Sequence, residues 1–208
     1  MEGILDLYAR PEDPRYPVVC VDETSQQHLP EMRPPLPLKS GKPYRYAPEY
    51  TRNGVSHLFM IFAPFFGFRH VEVTDPRTRI DFAQICRDRV DLHFPDAEKI
   101  LWVCDNLNTH KPASLYKAFD RQEAERIAEK IEFHYTPKHG SWLNIAEIEF
   151  SVLSRQCLSR RIPDQQPLKR EVQAWQDRRN QQRATVKWRF TTDDARIKLN
   201  KLYPSTEG

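Results

Sequence analysis

Two short apolar runs, "VVCV" at 18–21 and "KILWVC" at 99–104, each lead straight into an aspartate, Asp22 and Asp105. Burying a carboxylate without a partner costs several kcal/mol or forces a large pKa shift. Such runs therefore read as buried strands that deliver a charged group at their carboxyl ends. Between and after them, "SHLFMIFAPF" and "FRHVEVTD" read as two antiparallel strands behind an Asn-Gly turn, and "IEFHYTP" as a short strand. "RIDFAQICRDRVDLHF" repeats apolar residues at helical spacing, through Ile80, Phe82, Ile85 and Val90. "PASLYKAFDRQEAERIAEK" reads as one charged amphipathic helix with Pro112 in its first turn, and "IAEIEFSVLSRQCL" as a largely buried helix. The order is strand, arm, strand, strand, helix, strand, helix, strand, helix. It predicts an α/β fold with a mixed sheet, in which sites form beyond the carboxyl ends of parallel strands.

Strand parity sorts the acids of the first run. Asp22 shares a face with Val18 and Cys20, whereas Glu23 shares the other with Val19 and Val21. If the two apolar strands are parallel neighbours, Asp22 and Asp105 converge across about 5 Å, one strand spacing. A third acid is available from the buried helix, as Glu147 or Glu149, which point about 200° apart, so only one can join a common site. Glu147 lies on a narrow polar strip with Asn144, Ser151 and Ser154 and is the better candidate. Three convergent carboxylates suit Mg²⁺ or Mn²⁺, hard cations that prefer oxygen ligands. Two such ions about 3.5–4 Å apart activate the attacking oxygen and stabilise the leaving one in phosphodiester chemistry.

Composition bounds the rest. The 208 residues, 39% hydrophobic and 29% charged, suffice for one substantial core. The longest apolar run, "LFMIFAPFF", is about half of a membrane span. No signal peptide is evident in "MEGILDLYARPEDP", so a cytoplasmic location is expected. Cys20, Cys86, Cys104 and Cys157 sit in apolar surroundings without paired spacing, as reduced core thiols do; zinc ligation by Cys104 with His28 and His139 is correspondingly weak. After residue 150 there are thirteen Lys and Arg against six Asp and Glu, a net +7 beside −4 for the rest. That asymmetry hints at a polyanionic partner. Arg155, Arg160, Arg161, Arg178, Arg179, Arg183 and Lys187 are candidates to meet a DNA backbone, with a solvated helix surface as the alternative for each. The segments "LKREVQAWQDRRNQQR" and "TTDDARIKLNKLY" read as surface helices, and the proline-rich stretch at about 26–50 as an irregular arm.

The segments "CVDETSQ", "WVCDNLNTHK" and "YTPKHGSWLNIAEIEFSVLSR" resemble, in order, the three catalytic blocks of transposases with an Asp-Asp-Glu triad, in the branch formed by mariner and its bacterial insertion-sequence relatives. The resemblance implies a ribonuclease H-like fold with a mixed five-stranded sheet flanked by helices. It also implies metal-dependent DNA strand cleavage followed by joining of the freed 3′-hydroxyl to target DNA. Motif matching places the triad, as catalytic and metal-binding residues, on Asp22, Asp105 and Glu147, with "LNIAE" matching the family's Leu-Asn-x-x-Glu segment. Glu149 is then a neighbour. Asn106, His110 and Asn144 become supporting residues, His110 orienting a phosphate or metal-bound water or else capping a helix. Lys138 and Trp142 are candidates to contact DNA, and Trp142 equally to pack the helix on the sheet.

The expected partners are double-stranded DNA, as element ends and target, and a second copy of the chain on that DNA; with no helix-turn-helix region before the first catalytic block, the readings are a truncated copy, one product of a split reading frame, or a catalytic domain working with a separate helix-turn-helix chain. The expected organisation is a catalytic domain over 1–160, whose arm the resemblance implies crosses to another subunit, and a basic helical extension over 161–208 packed on it. The 41 residues between Asp105 and Glu147 exceed the spacing of many relatives, with the extra length expected at 117–130. A nuclease that hydrolyses without joining and an inactive nucleic-acid-binding remnant are the alternative functions.

Overall fold

The first apolar run forms the central strand of a five-stranded sheet. The structure, a computed structural model, describes residues 1–30 and 53–202. Its strands are β1 (Val18–Gln27), β2 (Val55–Ala63), β3 (Phe68–Thr74), β4 (Ile100–Cys104) and β5 (Ile131–Tyr135), in the order β3-β2-β1-β4-β5. The hairpin β2–β3 is antiparallel and β2 runs antiparallel to β1, whereas β1, β4 and β5 are mutually parallel. The mixed five-stranded α/β architecture expected from the sequence is thus present. Most of the expected arm, at 31–52, lies outside the described residues.

Among the described residues, seven α-helices cover the two faces: α1 (Glu2–Ala9), α2 (Arg79–Asp88), α3 (Leu115–Ala118), α4 (Arg121–Lys130), α5 (Ala146–Gln156), α6 (Gln165–Gln181) and α7 (Thr192–Lys198). Alternation along the strands divides the core as parity requires. Val18, Cys20, Leu101 and Val103 pack with α1, α5, α6 and α7, and Val19, Val21, Trp102 and Cys104 with α2, α3 and α4. Each fully buried aliphatic side chain in these layers contributes about 1.5–3 kcal/mol relative to exposure.

Two sequence expectations change. The amphipathic helix expected from Pro112 onward is broken: a 3₁₀ turn at Pro112–Ser114 leads into α3, Phe119 turns extended, and Asp120 caps α4 by accepting from the Glu123 amide at 2.9 Å. α6 is a surface helix with one buried stripe. Leu168, Val172 and Trp175, at helical spacing, are buried against the sheet, while Gln176 and Asn180 accept hydrogen bonds from the Val71 and Arg69 amides of β3 at 2.9 Å each. Residues 161–202 therefore share the core of the preceding part. Finally, β1 does not end at Asp22. It continues to Gln27 along β2, although its pairing with β4 stops at Cys20↔Val103.

The turn between β2 and β3 depends on Gly67. Its φ of +63° disfavours other residues, and an added Cβ would meet the Arg183 backbone at 2.6 Å. This close approach lets the segment after α6 cross the hairpin, where the Val186 amide donates to the Pro64 carbonyl oxygen at 3.0 Å.

Candidate active site

Where β1 outruns β4, the sheet opens a notch bordered by Asp22, by the loop after Cys104 and by the start of α5. Asp22 lies on the same face of β1 as Val18 and Cys20, the face covered by α5. One Asp22 carboxylate oxygen accepts from the Glu23 amide at 2.8 Å. Burial pushes the Asp22 carboxyl up to about 6; the Glu23 amide works against this, and the nearby charges of Glu147 and Asp105 add to it. Asp22 therefore feels the charge of both Glu147 and Asp105.

The path of α5 explains how Glu147 reaches this notch. Asn144, buried just before the helix, donates to the Val21 carbonyl oxygen at 2.8 Å and accepts from the Ala146 amide at 3.2 Å. Tyr8 of α1 donates to the Leu143 carbonyl oxygen at 2.7 Å and lies 3.3 Å from the Cys20 sulfur. The helix start is thereby fastened to β1 beside Asp22. Glu147 is half-buried here, whereas Glu149 points into the protein. Glu149 is 1% exposed, with Arg69 Nε at 2.8 Å and Arg179 Nε at 2.6 Å from its Oε1. It ties α5 to β3 and α6.

Asp105 stands just past β4 and is held from behind. Its Oδ1 lies 2.5 Å from His110 Nδ1, and the opposite ring nitrogen of His110 lies 3.3 Å from Glu23 Oε2. With a carboxylate on each ring nitrogen, only the imidazolium donates to both. Burial alone would lower the His110 pKa, but the hydrogen bonds to Asp105 and Glu23 outweigh it and raise it to about 9. Burial likewise works to raise Asp105, yet the His110 hydrogen bond holds that carboxyl below its ordinary range. Two neighbouring aspartates thus have opposite environments. Glu23 Oε1 also faces Arg77 Nη1 at 3.0 Å.

The supporting and DNA-binding candidates separate. Asn106 is exposed and, with Asp105, Tyr135, Lys138 and His139, borders an open groove beside the notch. His139 there takes a left-handed φ of +64°, uncommon for a residue other than glycine. Trp142 is 39% exposed and stacks on Trp188, with ring centroids 6.4 Å apart, so it both packs and presents an indole to solvent. Arg155 and Arg178 are exposed, Arg161 is half-buried, and Arg160 pairs with Glu171. Arg179 differs from the expectation of a DNA contact, because its guanidinium is engaged with Glu149. The four cysteines are buried and free, as expected, and His28 is hydrogen-bonded to Ser56 at 2.9 Å. Sequence reasoning placed Glu23 on the opposite face but missed its contacts with His110 and Arg77; only the parity of "DE" hinted at them.

The side chains of Asp22, Asp105 and Glu147 offer only oxygen donors, and the charge of the other two on Asp22 suits a divalent cation in kind. Among the described residues, no three His, Cys, Asp or Glu side chains already stand at metal-ligating positions. No helix among the described residues is long and apolar enough to cross a membrane.

Comparison with known proteins agrees with this architecture. Structures of Mos1 transposase share the fold: a mariner paired-end complex with Mn superposes with a TM-score of 0.58 at 14% identity, covering 88% of this chain and 55% of that one. A paired-end complex with the left transposon end gives 0.57 at 13% identity, covering 88% and 56%, and the strand transfer complex gives 0.58 at 13%, with the same coverage. The chain thus spans a little over half the length of these transposases. No curated protein matches the sequence. The ribonuclease H-like fold expected from the sequence is present. The sequence profile of the DDE superfamily endonucleases matches residues 17–169, spanning Asp22, Asp105 and Glu147, and the chain belongs to that family.

Proposed function

We propose that this chain is the catalytic domain of a mariner-like transposase, cutting a DNA strand at an element end and joining the freed 3′-hydroxyl to target DNA in a metal-dependent reaction. What supports this reading is that the charges of Glu147 and Asp105 both act on Asp22, beside the notch where β1 outruns β4, in a chain that belongs to the DDE endonucleases. Asp22, Asp105 and Glu147 would hold Mg²⁺ or Mn²⁺, in two ions on the family's pattern. Bound there, the metal would activate the attacking oxygen and stabilise the leaving one.

The protein's own residues prepare the notch. Burial and repulsion make the Asp22 charge costly until a cation meets it, while His110 keeps Asp105 ionised and oriented. Asn144 holds α5 so that Glu147 stays beside β1. The groove past Asp105, with Asn106, Lys138 and the exposed indole of Trp142 nearby, offers a path for a DNA backbone, and Arg155, Arg161 and Arg178 are candidate outer contacts. The neighbours are transposase complexes with paired ends, which supports double-stranded DNA as substrate and a second copy of this chain as partner.

A strand-transfer assay tests it. A duplex with a pre-cut 3′-hydroxyl element end and a target plasmid, incubated with the protein and Mg²⁺ or Mn²⁺, is expected to yield covalently joined product. Fragments without joined product would show a hydrolytic nuclease instead, and no turnover under any metal would show a binding remnant.

A further inference from the structure

We infer that Glu23 is a positioning residue for Asp105, acting through His110, which it holds from the side of the sheet opposite the notch. This rests on the metal-binding reading of Asp105. The chain of contacts is continuous: Glu23 Oε2 meets one His110 ring nitrogen at 3.3 Å, and the other lies 2.5 Å from Asp105 Oδ1. Glu23 and His110 are 3% and 0% exposed in their side chains, so their contact is no solvent-averaged surface pairing, and the His110 ring meets the part-exposed Asp105 from the buried side.

The surroundings leave the imidazole little freedom. The Phe82 ring packs on it with centroids 4.7 Å apart, and Tyr135 donates to the His110 carbonyl oxygen at 3.0 Å. Ser114 donates to the carbonyl oxygen of Thr109 at 2.7 Å, fixing the preceding residue. Arg77, reaching from the loop after β3, faces the other Glu23 oxygen at 3.0 Å.

This arrangement answers a mechanical need. Asp105 lies beyond the last β4 residue, outside the sheet ladder, and apart from His110 its carboxylate accepts only a long 3.4 Å hydrogen bond from the Leu107 amide among the described residues. Glu23, by contrast, sits inside β1 with ladder partners on β2, paired with Phe59. The strand interior thus sets the orientation of a carboxylate on a loop, as outer residues orient first ligands at metal sites. The adjacent acids of "DE" divide the work, Asp22 facing the notch and Glu23 bracing Asp105 from behind.

Mn²⁺ titration of the full chain by calorimetry, with melting curves to confirm folding, tests the inference. The variants are Asp105→Asn, Glu23→Ala, Glu23→Gln, His110→Ala and the Glu23→Ala/His110→Ala pair. We expect Glu23→Ala to weaken Mn²⁺ binding about tenfold, the scale for outer partners of metal ligands, and Glu23→Gln, which still accepts from the imidazole, to recover most of it. In the His110→Ala background, Glu23→Ala should change affinity less than about twofold, because the link is already cut. Wild-type affinity in Glu23→Ala, or an undiminished Glu23→Ala effect in the His110→Ala background, would overturn the inference. If Glu23→Ala does not fold, His110→Ala against His110→Asn decides: Asn can keep a donor toward Asp105 and should recover most of the affinity lost with Ala, and wild-type affinity in both would overturn the inference. Mn²⁺ binding that is absent, or indifferent to Asp105→Asn, would overturn the metal reading together with it. Binding that depends on Asp105 but not on Glu23 would overturn the Glu23 role alone.

Discussion

The amide of Asn144 donates to the Val21 carbonyl oxygen at 2.8 Å and so fastens the start of the Glu147 helix to the strand that carries Asp22. Because both groups are buried, Asn144→Ala leaves a strand carbonyl without this partner, a cost of about 1–3 kcal/mol. Urea unfolding is expected to show that loss, and metal-dependent cleavage to fall while the protein remains folded. A variant with unchanged stability and unchanged cleavage would remove Asn144 from any role at the site.

Glu147 and Glu149 predict opposite phenotypes. Glu149→Gln strips the charge from between Arg69 and Arg179, and breaking a buried pair of this kind costs about 3–5 kcal/mol. Glu147→Gln is expected to abolish cleavage with little change in unfolding free energy. Denaturation curves and a cleavage assay on the two proteins separate these roles, and exchanged phenotypes would reassign the triad.

The raised Asp22 carboxyl gives a pH signature. Its folded value of about 6 lies above the ordinary 3.8, so the stability it contributes is full below about 3.8 and is lost as pH rises through about 6. Above that, the metal-free protein carries a charge pressed against Glu147 and Asp105. Asp22→Asn should therefore melt higher than wild type at pH 7.5 without metal, with the gap closing toward pH 4. Added Mg²⁺ should raise the wild-type melting temperature and leave the variant's unchanged. A gap independent of pH would contradict the burial of Asp22.

These two acids show how far the sequence reaches. The apolar runs before Asp22 and Asp105 declared buried strands, and parity separated Asp22 from Glu23 because alternation is a backbone property. The helical angle likewise separated Glu147 from Glu149. The continuation of β1 to Gln27 was hidden, because "ETSQQ" is polar and pairs only with β2, leaving it half-exposed. The break at Phe119 was also hidden, since the apolar spacing runs smoothly past it and the Asp120 cap needed the fold to identify it. Contacts such as Glu23 with His110 join residues 87 apart in sequence, and no local pattern encodes them.

Basic residues at the surface and inside should differ in their response to salt. Lys138→Ala and Arg155→Ala, both exposed, are each expected to weaken DNA binding across sequences and to lower the salt slope by about 1. Arg179→Ala should leave the slope alone and lower stability through Glu149. Fluorescence anisotropy with a duplex over a salt series measures this, and a lower slope for Arg179→Ala would move that side chain to the DNA surface.

The most direct measurement is Mg²⁺-dependent nicking of a supercoiled plasmid carrying the element ends, by the wild-type chain and by Asp105→Asn, together with any separate end-recognition chain. Three carboxylates acting as one site predict nicking by the wild type and none above background by Asp105→Asn, with melting curves showing both folded. Nicking by Asp105→Asn at the wild-type rate would contradict the assignment.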